Sequence, residues 1–296
     1  MRLRLTVAAV IGLATGAFCW FFLAHFQQGA ADFGWAVRAA RHLIARQNPY
    51  DTPLEQYPLT AAVFGLPFAW FRPEVAAGCF FGLSSALLAF GATRTAYHRL
   101  LIFLAYPYWA GIITAQWSPL VAASAFFPLL LPATMVKPQI GLPVAATYFS
   151  RRGAIACALV LTLTLIVSPR WPWLWLGQLR YYEHFFPILV LPGPLLALAA
   201  WRYKDSDARM LLLAALMPQR WFFDTFILWL IPKTRREILW TAFFSWGAGL
   251  WRWYHIPHTS QEVGRWTVIF IYLPMLVIVL ARAWPQRNFF AHTPKP

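Results

Sequence analysis

The chain has 296 residues, 60% hydrophobic and 18% aromatic, with only 12% charged and a formal net charge of +15. Soluble domains carry about 25% charged residues, so this composition excludes an ordinary soluble domain and points to a polytopic membrane protein. In a soluble chain such a charge would suggest nucleic acid; here Lys and Arg fall mostly in short loops between apolar runs, where retention of basic loops in the cytoplasm accounts for them.

A spanning helix takes about 20 apolar residues. The first runs from about 5 to 26 behind the basic MRLR. It is too long for a signal-peptide core and reads as a retained helix leading outward from the cytoplasm. Residues 27–73 form the first external loop. Within it, 31–47 place Arg38, Arg41 and His42 on one side and Phe33, Ala36, Val37, Ala40, Leu43 and Ile44 on the other, the pattern of a helix lying in the membrane interface. Residues 57–71, apolar, short and carrying Pro67, read as a second surface element ending at Arg72-Pro73. Residues 74–93 cross inward to Arg94, His98 and Arg99, and 100–114, with Pro107 inside, cross outward.

A parity problem follows. Arg151-Arg152 belong in the cytoplasm, yet crossings at 117–136 and 138–150 would leave them outside. Pro128 and Pro132 interrupt 117–136, so that segment reads as a broken hairpin that dips in and returns. Residues 154–168 go outward. The stretch SPRWPWLWLGQLRYYEHFFP reads as an external loop with belt tryptophans, and 187–201 return to Arg202 and Lys204. Residues 209–232 join two basic loops around Pro218, so a second broken hairpin is expected, with Pro218-Gln219-Arg220-Trp221 at its tip. Residues 237–253 go out and 266–283 come back. The expectation is one all-α membrane domain over 1–296, with eight full crossings, two broken hairpins and both termini in the cytoplasm.

The acids are few enough to weigh one by one. Asp205-Ser-Asp207 mimics a metal-binding pair but sits beside Lys204 and Arg209, as in a solvated loop. The letters DFG at 32–34 have nothing kinase-like around them. His255 and His258 have a spacing that could hold a metal, but Pro257 and the lack of a third ligand argue against one; no metal or cofactor is expected. Cys19, Cys79 and Cys157 lie in apolar segments and indicate no disulfide framework. Asp32 has two readings: an N-cap of the helix that follows, or a boundary carboxylate facing a cavity and able to take a proton from a hydroxyl. Lys137, between two apolar segments, either snorkels to the surface or meets a phosphate. Arg220 and Asp224 either pair with each other or form part of a site.

These pieces together resemble the glycosyltransferase family 87 type of polytopic enzyme, within the GT-C superfamily. The resemblance covers about residues 1–236 and rests on Asp32, the interfacial helix, Asn48-Pro49-Tyr50, Tyr57-Pro58, AQWSPL at 115–120, VKPQ at 136–139, and Pro218-Gln219 with Asp224. The chain departs from that pattern with Arg46-Gln47 before Asn48, Leu59 after Tyr57-Pro58, and Ala115 before Gln116. The resemblance implies a GT-C-like bundle and a donor carrying a sugar, typically mannose, on a polyprenyl phosphate. The acceptor would be a lipid or glycan at the outer face of the cytoplasmic membrane. Asp32 would be the base of an inverting transfer. A lipid phosphate is already a good leaving group but needs a cation, for which Lys137 comes first, with Arg220 or His25 in support. Tyr57, Gln116, Gln139, Gln219 and Asp224 would line the pocket, and an apolar groove would hold the prenyl chain. Two other readings stand beside this one. A transporter or flippase of a lipid-linked or anionic substrate would place its coupling acid near mid-membrane, as Asp224 is placed. A scaffold without a cavity would leave Asp32 and Lys137 apart.

Overall fold

The computed structural model describes residues 1–51 and 57–282. Among them regular structure is helical, with no strands. The expected first helix and inward return are α1 (Arg2–His25) and α4 (Pro73–Ala92), which pack together along their length. Two four-residue glycine spacings make that possible, Gly12 with Gly16 and Gly78 with Gly82. A Cβ at Gly12 would lie 2.8 Å from the Gly82 carbonyl oxygen, and one at Gly16 2.8 Å from that of Gly78. Backbone touches backbone, the packing by which helices associate where no water is available to drive them together.

The loop between them folds inward. α2 (Gly34–Ile44) buries Trp35, Ala36, Val37, Ala39 and Ala40 and exposes Arg38 and Arg41. The amphipathic pattern is present, but its apolar side is covered by α3 (Thr60–Gly65) and α4. A Cβ on Gly65 would sit 2.1 Å from the Ala36 carbonyl. Arg41 donates from Nε and Nη2 to the Ala69 and Phe71 carbonyls, both at 2.7 Å, tying the far end of the loop to α2. The helix stops short of residue 47 because Arg46 turns into the left-handed region (φ 58°).

The middle of the chain is broken, as the prolines require. A 3-10 run (Tyr97–Leu104) leads into α5 (Tyr106–Ile112). α6 (Ser118–Ala123) ends ahead of a 3-10 run over Pro128–Met135, which is followed by α7 (Pro138–Thr147). α8 (Arg151–Val167) begins earlier than expected because Ser150 caps it, its Oγ accepting from Gly153 N at 3.1 Å. The aromatic stretch expected as a loop holds a helix, α9 (Trp171–Gln178), bent 95° from α8. Another 3-10 run (Gly193–Arg202) precedes α10 (Ser206–Leu216). The second expected break is present: Met217–Trp221 are non-helical, and a 3-10 run covers Phe222–Leu230. α11 (Arg235–Tyr254) opens with a Thr234/Glu237 capping box. α12 (Ser260–Thr267) continues through a π turn (Val268–Tyr272) into α13 (Leu273–Ala281).

Three of these helices are long and apolar enough to cross a membrane: α1, α4 and the continuous run Ser260–Ala281; the bent pair α8–α9 would make a fourth. By length and composition, the described residues therefore supply candidate spans for three or four of the eight full crossings expected from sequence. α5, α6 and α7 have 7, 6 and 10 residues, cut short by Pro107, Pro119, Pro132 and Pro138, against the roughly 20 a crossing needs. α11 is long enough but not sufficiently apolar.

Candidate functional site

Asp32 lies in a 3-10 turn, Ala31–Phe33, and its side chain caps no helix. The capping reading is thus replaced by another set of partners. Tyr57 donates its hydroxyl to Asp32 Oδ2, and Lys137 Nζ approaches the same oxygen at 3.3 Å. Asp32 Oδ1 carries no hydrogen bond among the described residues. The turn itself is strained. Ala31 precedes Asp32 at φ 45°, and Ala115 precedes Gln116 at φ 49°. Each left-handed alanine costs about 1–2 kcal/mol, and such strain clusters at functional sites. The two turns hold each other, because Asp32 N donates to the Thr114 carbonyl at 3.1 Å.

Lys137 is buried and does not snorkel. It starts α7, and its carbonyl accepts from Ile140 N at 3.0 Å and Gly141 N at 2.9 Å, which fixes where the side chain leaves the backbone. Besides Asp32, Nζ donates to Gln116 Oε1 and Asp224 Oδ1, both at 2.8 Å. Asp224 is fully buried, and its other oxygen takes the backbone N–H of Arg220 at 3.3 Å. The expected Arg220–Asp224 pairing is therefore made through the main chain, and the charge opposite Asp224 is Lys137.

Two cavities meet at this cluster. One, about 420 Å³, is lined by Lys137, Gln139, Trp175, Tyr182 and His184. Gln139 Nε2 donates to Tyr182 OH at 3.0 Å, and the Tyr182 and His184 rings stack at 5.7 Å. The other, about 860 Å³, is aromatic and runs between α1, α5 and α11, with Phe18, Trp109 and Trp246 on its walls and Gln116 and Arg252 beside them. Asp32, Arg220 and Phe223 line both. Burial, and then the Asp32 carboxylate, push the Tyr57 hydroxyl far above the ordinary phenol value, so it stays a donor. Burial does the same to Tyr182, with Asp224 adding to it.

The remaining sequence candidates separate. Tyr57, Gln116, Gln139 and Arg220 line one or both cavities. Asp224 lies behind Lys137 and lines neither. His25 is exposed on the last turn of α1, stacked on Phe21 at 5.9 Å, and lines neither cavity. Gln219 is buried and exchanges backbone hydrogen bonds with Phe185 at 2.9 and 2.8 Å; it fixes the 217–221 connection and reaches neither cavity. Asp207, expected in a solvated loop, is buried between Lys233 (3.0 Å) and Arg282 (2.7 Å). Arg282 also holds Glu237 at 2.7 Å. Partial burial alone would raise the Glu237 carboxyl, but bonds from Arg282 and the Thr234 and Lys233 N–H groups outweigh it and hold it at about 2. His255 stacks on Trp251 at 5.8 Å, and no cluster with metal-ligating character occurs among the described residues.

Sequence reasoning missed Trp175, Tyr182 and His184: it placed all three in an external loop and read only the tryptophan as a belt residue. Their signal was present in the polar Tyr-Glu-His run inside an otherwise apolar stretch, and in Trp171 and Trp175 standing one helical turn apart. No protein family, curated protein or solved structure matches the chain. What the arrangement offers chemically is a carboxylate with one oxygen held by two donors and the other without a hydrogen bond among the described residues, placed where the two cavities join.

Proposed function

We propose that this protein is a membrane glycosyltransferase of the GT-C type. It moves a sugar, mannose in the first instance, from a polyprenyl phosphate to a lipid or glycan acceptor at the outer face of the cytoplasmic membrane, with both termini inside. The observation that carries this reading is Asp32 at the junction of the two cavities. The aromatic cavity suits a prenyl chain, and the other, with Gln139, Tyr182 and His184 on its wall, suits sugar hydroxyls. The acceptor hydroxyl attacks the anomeric carbon as its proton passes to Asp32 Oδ1. The bond from that carbon to the phosphate oxygen breaks on the opposite face, the configuration inverts, and the lipid phosphate leaves with the electron pair. The leaving phosphate needs a cation, for which Arg220 at the junction and Lys137 beside it are the residues at hand; His25 lines neither cavity.

The test uses purified protein in nanodiscs, wild type and Asp32→Asn, with radiolabelled polyprenyl-phosphate-mannose and a total lipid extract. Asparagine keeps the shape and loses the base. Transfer should fall about 10²–10⁴-fold while donor binding persists. Equal transfer by both proteins would remove Asp32 from the chemistry.

A second reading, a transporter or flippase, draws on the buried Lys137–Asp224 pair, since ionisable groups at membrane depth mark ion and substrate paths. It predicts uptake of a lipid-linked or anionic substrate into proteoliposomes that Asp224→Asn abolishes. Uptake unchanged by that variant would discard it.

A further inference from the structure

An ammonium has three protons and no acceptor. All three on Lys137 have acceptors: Asp32 at 3.3 Å, and Gln116 and Asp224 at 2.8 Å. A phosphate could bind Nζ only by displacing one of them. Displacing Asp224 would strand a fully buried carboxylate, displacing Gln116 would strand a buried amide oxygen, and displacing Asp32 would release the base itself. The buried cation is held to this chain's own groups, as such cations are when their partners are also buried.

We propose that Lys137 and Asp224 form a positioning pair that acts through Asp32, and that the substrate phosphate is met by Arg220. The inference rests on the glycosyl-transfer reading above. Asp224 anchors Lys137 from behind. Lys137 and Tyr57 together hold Asp32 Oδ2, which leaves Oδ1 for the acceptor hydroxyl. Arg220 lines both cavities, at the junction where the sugar–phosphate bond would lie, and its backbone N–H is bonded to the same Asp224. One buried carboxylate therefore sets both the lysine that orients the base and the loop that carries the arginine. The ionisable groups around Asp32 are Tyr57 from the first loop, Lys137 at the start of α7, Arg220 and Asp224 from the 217–230 segment, Tyr182 and His184 beyond α9, and, across the aromatic cavity, Tyr106 of α5 and Arg252 of α11.

The experiment separates binding from turnover. Geranyl phosphate is titrated into nanodisc-embedded protein, reading the fluorescence of the cavity tryptophans, and transfer kinetics are run in parallel. Arg220→Gln should weaken geranyl phosphate about tenfold or more. Lys137→Gln should leave that affinity within about threefold while kcat falls about 100-fold at unchanged KM, as expected of a misplaced base. The double variant Lys137→Gln/Asp224→Asn removes both charges; it should fold at least as well as Lys137→Gln and be no slower, since the pair works as a unit. If Lys137→Gln alone does not fold, the double variant carries the same test. Loss of geranyl phosphate binding in the lysine variants, with saturated kcat intact, would make Lys137 the phosphate ligand and overturn the proposal. A wild type that binds no geranyl phosphate would instead overturn the donor class, and the Arg220 assignment with it.

Discussion

Gly141 offers a prediction about how tightly the site is held. It faces the 3-10 run Pro128–Met135 across the chain reversal that carries Lys137. A Cβ built there lies 1.8 Å from the Thr134 carbonyl oxygen, 2.5 Å from its carbon and 2.7 Å from its Cα, all backbone. Ordinary contact begins at 3.4 Å, so the two segments must part by 3.4 − 1.8, or about 1.6 Å. No side-chain rotamer can absorb that shift. Overpacking of this kind costs about 1–3 kcal/mol. Because Gly141 N also bonds the Lys137 carbonyl, the shift passes to the lysine, and displacing a catalytic constellation by about 1 Å can cost 100-fold in rate. Gly141→Ala should thus lower both the Tm and transfer. The control is Gly177→Ala in α9, where an added Cβ meets nothing within 4 Å. That change should be neutral or raise stability by about 0.5–1 kcal/mol through helix propensity. Thermal scans and transfer assays on both variants decide it. Gly141→Ala with wild-type Tm and turnover would refute the reasoning, as would a Gly177→Ala loss of equal size.

Lys137→Met leaves Asp224 buried with no counter-charge and should cost about 3–5 kcal/mol, whereas Asp32→Asn leaves Lys137 still paired and should cost far less; thermal scans that rank the two the other way would contradict the ion-pair geometry. At the other end of the bundle, Glu237 is held at about 2, well below its unfolded value. Its contribution to stability is complete above the ordinary glutamate range and drains away as pH falls from about 4.3 toward the folded value. Scans between pH 5 and 2.5 should show that loss in wild type and a shallower one in Glu237→Gln. Gly78→Leu, in which the Cβ alone would meet the Trp20 Cβ at 2.7 Å, should pry α1 from α4, measurable as accelerated proteolysis of the first loop. An unchanged digestion pattern would count against the close packing.

Some of this molecule was legible in its residues and some was not, for physical reasons. Prolines announce themselves: Pro128 and Pro218 mark breaks because no helix can pass through them unaltered, and both breaks are present. Asp32 and Lys137 stood out because a charge in apolar surroundings requires a partner. That each was the other's partner required the fold, as did the position of Asp224 behind them. The capping reading of Asp32 failed because a cap is a local preference of about 1 kcal/mol, outweighed here by a tyrosine and a lysine from distant segments. Asp207 looked solvated because its chain neighbours are basic; its real partners, Lys233 and Arg282, come from 26 and 75 residues away. Crossing number was legible only in part, because closely spaced prolines leave apolar segments as short helices that length and composition do not mark as spans.

The α1–α4 glycine contact has a consequence for biogenesis. Everything between those helices, including Asp32, Tyr57 and the Asn48-Pro49-Tyr50 turn, belongs to a loop whose two ends are fastened by neighbouring backbones. That fastening is available once Ala92 has emerged, before Lys137, Asp224 or either cavity wall has been made. Asp32 and the tyrosine that grips it can be folded early in synthesis, and the later two-thirds of the chain then closes over a half-built site.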